Sequence, residues 1–151
     1  MNTSLKVALK YGIIVTVCLI AYFLLLKLFN FHENPWLRIM NGVIMSLGIY
    51  YAIKYYKLSS DQEFSYINGM KTGLLTGFIA TVIFTVFMAV YMFHLDVPFT
   101  EKLLGDWFGD YEVSANILLL IVFIEGLTST IVLSMAFMQL LKKSRNIPQK
   151  A

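Results

Sequence analysis

Ala115–Leu141 reads ANILLLIVFIEGLTSTIVLSMAFMQLL. It carries one charge, Glu125. At about 1.5 Å per residue a helix of this length crosses a hydrocarbon core about 30 Å thick. An ionised carboxylate at that depth costs about 2.5–3.5 kcal/mol or more unless it is paired or hydrogen-bonded. The stretch therefore predicts a transmembrane helix and marks one residue inside it as a candidate site.

Three more apolar runs precede it, so the chain reads as one membrane domain, residues 1–151, with spans at about 9–29, 37–56, 69–95 and 115–141. Its composition agrees. Hydrophobic residues make up 58% and charged residues 14% of the 151. A soluble domain is about one quarter charged. The first run is too long for a signal-peptide core and no small-residue cleavage site follows it, so it is expected to remain as a span. Cys18 is the single cysteine, which excludes an intrachain disulfide and a cysteine metal cluster. No cofactor and no metal are expected.

Charge placement predicts the orientation. Lys6, Lys10, Lys54, Lys57, Lys71, Lys142, Lys143, Arg145 and Lys150 flank one side; Lys27, Arg38 and Lys102 flank the other. The positive-inside rule then places both termini in the cytoplasm. The basic residues flank spans, so they point to lipid headgroups and not to nucleic acid. Tyr50, Tyr51, Tyr55, Tyr56 and Trp36 fit interfacial anchors.

The connections differ. Phe31–Trp36 is short and makes the first two spans a hairpin. Ser60 to Glu63 fits a capping box before the third span, with Phe64–Met70 as an extension or turn that Gly69 lets bend. Between the third and fourth spans, Leu103, Leu104, Trp107, Phe108 and Tyr111 recur at helical steps with acidic residues between them. This predicts an amphipathic helix in the outer interface, with Thr100 as its N-cap.

Two patterns bear on function. Gly69, Gly73, Gly77, Thr81, Thr85 and Ala89 recur every four residues along the third span. Small residues let helices approach closely in lipid, so this ladder predicts the central packing seam, against the same chain or a second copy. Glu125 is the other. Counting to equal depth reaches Thr85 on the third span and Tyr22 on the first. A neutral Glu125 carboxyl facing the bundle is expected to hydrogen-bond to one of them. No Lys, Arg, Asp or His inside a span completes a proton relay with it. His32, Glu33, His94 and Asp96 share the outer face without the convergence a metal needs. Nucleotide-loop, serine-hydrolase and zinc-protease motifs are lacking.

The stretch Phe64-Ser65-Tyr66-Ile67-Asn68-Gly69-Met70-Lys71-Thr72-Gly73 and the exit Asp96-Val97-Pro98-Phe99-Thr100-Glu101-Lys102 resemble a bacterial family of small membrane proteins defined only as a domain of unknown function, number 4199. The resemblance implies a four-helix protein of the bacterial inner membrane. It carries no activity, so no catalytic residue comes with it.

The all-α, four-span architecture, the packing ladder and the missing catalytic set lead to a first expectation: a non-enzymatic accessory or scaffold subunit of a larger envelope complex, meeting the bilayer and other membrane subunits or itself. The alternative is a small, oligomeric, proton- or ion-coupled transporter that uses Glu125 as its intramembrane site.

Overall fold

A computed structural model describes residues 3–29, 31, 35–59, 65–109 and 114–141. Its helices are α1 (Thr3–Leu28), α2 (Ile39–Ser59, entered through a 3-10 turn at Pro35–Arg38), α3 (Tyr66–Val90), α4 (Val97–Phe108) and α5 (Ala115–Leu141). Four helical stretches are long and apolar enough to cross a membrane: Thr3–Leu28, Trp36–Ser59, Tyr66–Leu95 and Ala115–Leu141. α1 begins before the expected residue 9 because Ser4, Val7 and Ala8 are buried. Val7 packs with Ala52 and Tyr56 of α2.

α3 is the centre of the bundle and touches α1, α2 and α5. It runs antiparallel to α5. A Cβ built on Gly73 would lie 2.9 Å from Ser134 Oγ, one on Gly77 would strike Thr130, and one on Gly126 would lie 2.6 Å from Thr81 Cγ2. Each contact is tighter than a real Cβ tolerates, so the absent side chains set the helix spacing. The ladder of α3 thus meets a second one, Gly126, Thr130 and Ser134, on α5.

The interior is built from small and hydroxylated residues as well as hydrophobes. Thr72, Thr76, Thr130 and Ser134 are fully or almost fully buried. Thr72 and Thr76 donate to the carbonyls of Asn68 and Thr72, and Thr130 to that of Gly126. These three threonine hydroxyls are satisfied within their own helices, as apolar surroundings demand, whereas Ser134 Oγ is buried without a partner. The outer surface carries Ile13, Val17, Leu25, Val86, Leu120 and Val132, all exposed, which suits contact with lipid.

At one end, called here the α4 end, α3 closes in a π-helical turn, Tyr91–Leu95. The Asp96 N–H donates to Tyr91 O at 2.9 Å. Asp96, and not Thr100, is the N-cap of α4: its Oδ1 accepts from Phe99 N at 3.2 Å, with Pro98 in the first turn. Thr100 is buried and donates to Met92 O instead. Phe99 stacks edge-on with Tyr91 and Phe23, at centroid distances of 5.7 and 6.3 Å. Leu103 and Leu104 pack against the same core, while Glu101 and Lys102 are exposed.

The expected capping box at Ser60–Glu63, Tyr111, the side chains of Trp107 and Phe108, and the tail from Lys142 lie outside the described residues. So do His32 and Glu33. Among the described residues no three His, Cys, Asp or Glu side chains converge.

Candidate functional site

The seam between α3 and α5 closes through Gly73, Gly77 and Thr81, and then it opens. Beyond the Thr81–Gly126 contact lies a cavity of about 340 Å³ whose walls come from α1, α2, α3, α4 and α5. That volume falls in the range of small-molecule sites, about 300–1,000 Å³. Phe23, Met45, Phe84, Met88 and Leu118 supply apolar wall, and Phe99 and Leu103 of α4 reach it from the end of the bundle.

Glu125, Thr85 and Tyr22 all line this cavity. The depth count brought the three together, but the expected bonds are not there. The Tyr22 hydroxyl donates to Leu37 O at 2.9 Å. Thr85 Oγ1 is buried without a hydrogen-bond partner. Glu125 Oε2 instead accepts from Arg38 Nη2 at 2.7 Å. Charge counting puts Arg38 on the outer flank, at the start of the second span. Its side chain is long enough to reach back along the cavity wall, and a guanidinium–carboxylate hydrogen bond is among the strongest that proteins make. The neutral, counter-ion-free Glu125 is therefore corrected to one half of an ion pair.

Helical phase explains where the pair sits. Ile121, Val122, Glu125, Gly126 and Ser129 recur at three- and four-residue steps and line the cavity. Ile124 and Thr128, between them, are exposed on the outer face. Glu125 stands at the border of the two faces, with 54% of its side chain exposed and 27% of that of Arg38. The pair is a charged lip on an apolar pocket.

Polar atoms also lie inside the wall. Asn41 Oδ1, Thr81 Oγ1 and Thr85 Oγ1 are buried without a partner, and all three residues line the cavity. An unsatisfied buried polar atom costs about 1–3 kcal/mol, so clusters of them at one place call for an explanation. Thr81 and Thr85 both belong to the packing ladder; the sequence reading gave Thr81 to packing alone and Thr85 also to the polar site around Glu125. Asn41 and Arg38 were not named as site residues. Their signal was polarity at the outer start of a span, facing the depth of Glu125.

A second cluster lies beyond the cavity. Lys27 Nζ is 3.3 Å from Asp96 Oδ2 and 4.5 Å from the centre of the Tyr91 ring. The Tyr91 hydroxyl donates to Asp96 Oδ2 at 2.7 Å. That bond, chiefly, holds the Asp96 carboxyl below the usual carboxylate value; partial burial opposes it, and Phe99 N–H and Lys27 add to the lowering. Asp96 thereby fixes the start of α4, the helix that carries Phe99 and Leu103 to the cavity.

Four membrane-length helices around a central small-residue seam define the class: a small all-helical, multi-pass membrane protein. Residues 10–107 match the family described as a protein of unknown function (DUF4199), and the chain belongs to that family. The match covers α2, α3, most of α1 and nearly all of α4; α5, with Glu125, lies beyond it. No curated protein and no solved structure shows significant similarity to the chain.

Proposed function

We propose that this protein is a non-enzymatic carrier that binds a small amphiphilic molecule within the bilayer, in the cavity at the α4 end. One observation carries the reading: an apolar cavity of about 340 Å³ has an ion pair at its lip and Asn41, Thr81 and Thr85 on its wall. Those three polar atoms are unsatisfied, as is Ser134 Oγ in the closed seam, so it is the place of their residues on the cavity wall beside the ion pair that supports a ligand. A ligand with an apolar body and a polar head answers both halves of the site. The positive-inside count puts this end outside, so the ligand comes from the outer leaflet or the outer aqueous phase. Only the use of Glu125 as an intramembrane polar site is shared with the transporter alternative; the proton or ion coupling and the oligomeric state are not carried over. The small-residue ladder that motivated the accessory role is occupied by α5 and α2 of the same chain, so it offers no argument for a second subunit.

The test is saturable binding of a fluorescent single-chain amphiphile to the protein in mild detergent. Thr85→Trp fills the cavity and is expected to weaken binding at least tenfold while circular dichroism and gel filtration stay unchanged. Absence of saturable binding by the parent, or equal binding by the variant, ends the reading.

A further inference from the structure

The charges at the lip narrow the ligand class, given the binding role proposed above. Arg38 and Glu125 are in direct contact at 2.7 Å. A lone anion drawn to the guanidinium meets the carboxylate beside it. A lone cation drawn to the carboxylate meets the guanidinium. Like-charge contact in a low-dielectric setting is costly, and taking Arg38 away from Glu125 leaves that carboxylate facing apolar wall. A molecule that carries both charges avoids both penalties: it replaces one internal pair by two external ones, with no change in net charge at bilayer depth.

We infer that the ligand is a zwitterionic amphiphile, with a phosphate on Arg38, an ammonium on Glu125 and one apolar chain in the cavity. The geometry of the partners suits this. A guanidinium fork matches phosphate oxygens, and a carboxylate accepts the N–H groups of an ammonium. Glu125 is the more exposed of the two and borders the lipid-facing side of α5, so an ammonium reaches it without passing the apolar wall. The volume suits one chain better than two, since it lies near the lower end of the small-molecule range.

The experiment ranks four single-chain probes of equal chain length against the wild-type protein in nanodiscs: lysophosphatidylethanolamine, lysophosphatidic acid, an alkylamine and a monoacylglycerol. The expected result is a preference of about tenfold or more for lysophosphatidylethanolamine over each of the others. Glu125→Gln should shift the ranking toward the anionic probe, and Arg38→Gln toward the amine. A purely structural pair would weaken all four probes together. Phosphoethanolamine, which has both charges and no chain, separates a lipid source from a soluble one: weak binding assigns the lipid, and binding as tight as the lysolipid assigns the solute, with the charge pairing upheld in both. Equal binding of all four probes, or preference for a singly charged one by the wild type, overturns the zwitterion while leaving the cavity as a binding site. Failure of every probe to bind overturns the zwitterion and the binding role together.

Discussion

Arg38 Nη2 and Glu125 Oε2 meet at 2.7 Å across 87 positions of chain. The contact ties the start of α2 to the middle of α5. Both side chains are partly exposed, which places the pair between a surface salt bridge, worth about 0–1 kcal/mol, and a buried one, whose breakage costs about 3–5 kcal/mol. Arg38→Gln and Glu125→Gln are each expected to lower stability by about 1–2 kcal/mol. The double variant should cost less than the sum of the two. Unfolding in detergent, run as a double-mutant cycle, measures this; strict additivity would show the two side chains to be uncoupled.

The seam of α3 and α5 should be intolerant of side chains where it is closed. Gly77→Ala puts a Cβ against Thr130, and Gly126→Ala puts one 2.6 Å from Thr81. Overpacking of this kind costs about 1–3 kcal/mol. Gly105 has nothing within 4 Å, and it lies within α4. Gly105→Ala should stabilise by up to about 1 kcal/mol through helix propensity. Thermal unfolding of the three variants should therefore split in sign. A tolerated Gly77→Ala would mean that α3 and α5 are further apart than described.

Thr81 and Thr85 each hold a buried hydroxyl without a partner. Replacing Thr by Val removes that oxygen and keeps the shape. Both variants should be neutral or stabilising by up to about 1 kcal/mol, because an unsatisfied group is lost and no hydrogen bond is broken. The same changes should weaken binding of a polar-headed ligand. Calorimetry and probe binding on one preparation test both statements, and a clear destabilisation would show that the hydroxyls are bonded in the unliganded protein.

Asp96 makes the α4 end sensitive to acid. Its carboxyl is held below the ordinary value, first by the Tyr91 hydroxyl. For a depressed carboxyl, the stabilisation is fully present above the unfolded value of about 3.9 and fades as pH falls through the lower folded value. Asp96→Asn keeps a side chain that can cap α4 but loses the charge that the Tyr91 hydroxyl and Lys27 face, so it should lower stability near pH 6, where the carboxylate is ionised. The gap between parent and variant should narrow as pH drops below about 4. Unfolding temperatures taken in parallel across that range check the sign; a gap that widens in acid would contradict it.

Much of the architecture was legible because bilayer physics acts on composition. Ala115–Leu141 has one charge and the length of a span, and it is one helix with those bounds. The four-residue ladder on α3 was readable only in part: Gly73, Gly77 and Thr81 face α5, while a drift of about 40° per four-residue step turns Thr85 to the cavity. Its partner ladder on α5 has only three small residues, Gly126, Thr130 and Ser134, a run too short to stand out from the other small residues of that span. The N-cap of α4 was misassigned to Thr100 because both Asp96 and Thr100 are cap formers. The choice was decided by the π-helical turn, which ends α3 at Leu95 and leaves Asp96 as the next residue.

The candidate site was legible only in part. Glu125 stood out by the cost of a charge in lipid, and depth counting placed Thr85 and Tyr22 on the same cavity. Depth alone does not say which way a side chain points. Residues of equal depth can face one another or face a gap, and Arg38, from the end of its span, reaches a group that its own backbone does not adjoin.

The sequence by itself determined that this is a multi-pass helical membrane protein, because hydrophobic length and the need to satisfy backbone hydrogen bonds in lipid admit no other spanning form for such runs. It also determined which helix lies at the centre, because close approach requires small residues along a whole face. Only the tertiary structure decided that the seam opens past Thr81, that a cavity forms there, and that Glu125 is paired with Arg38. Those outcomes depend on how far each helix diverges from its neighbours and on the reach of side chains between them. They are set by packing of all the helices at once, and no single stretch of chain contains them.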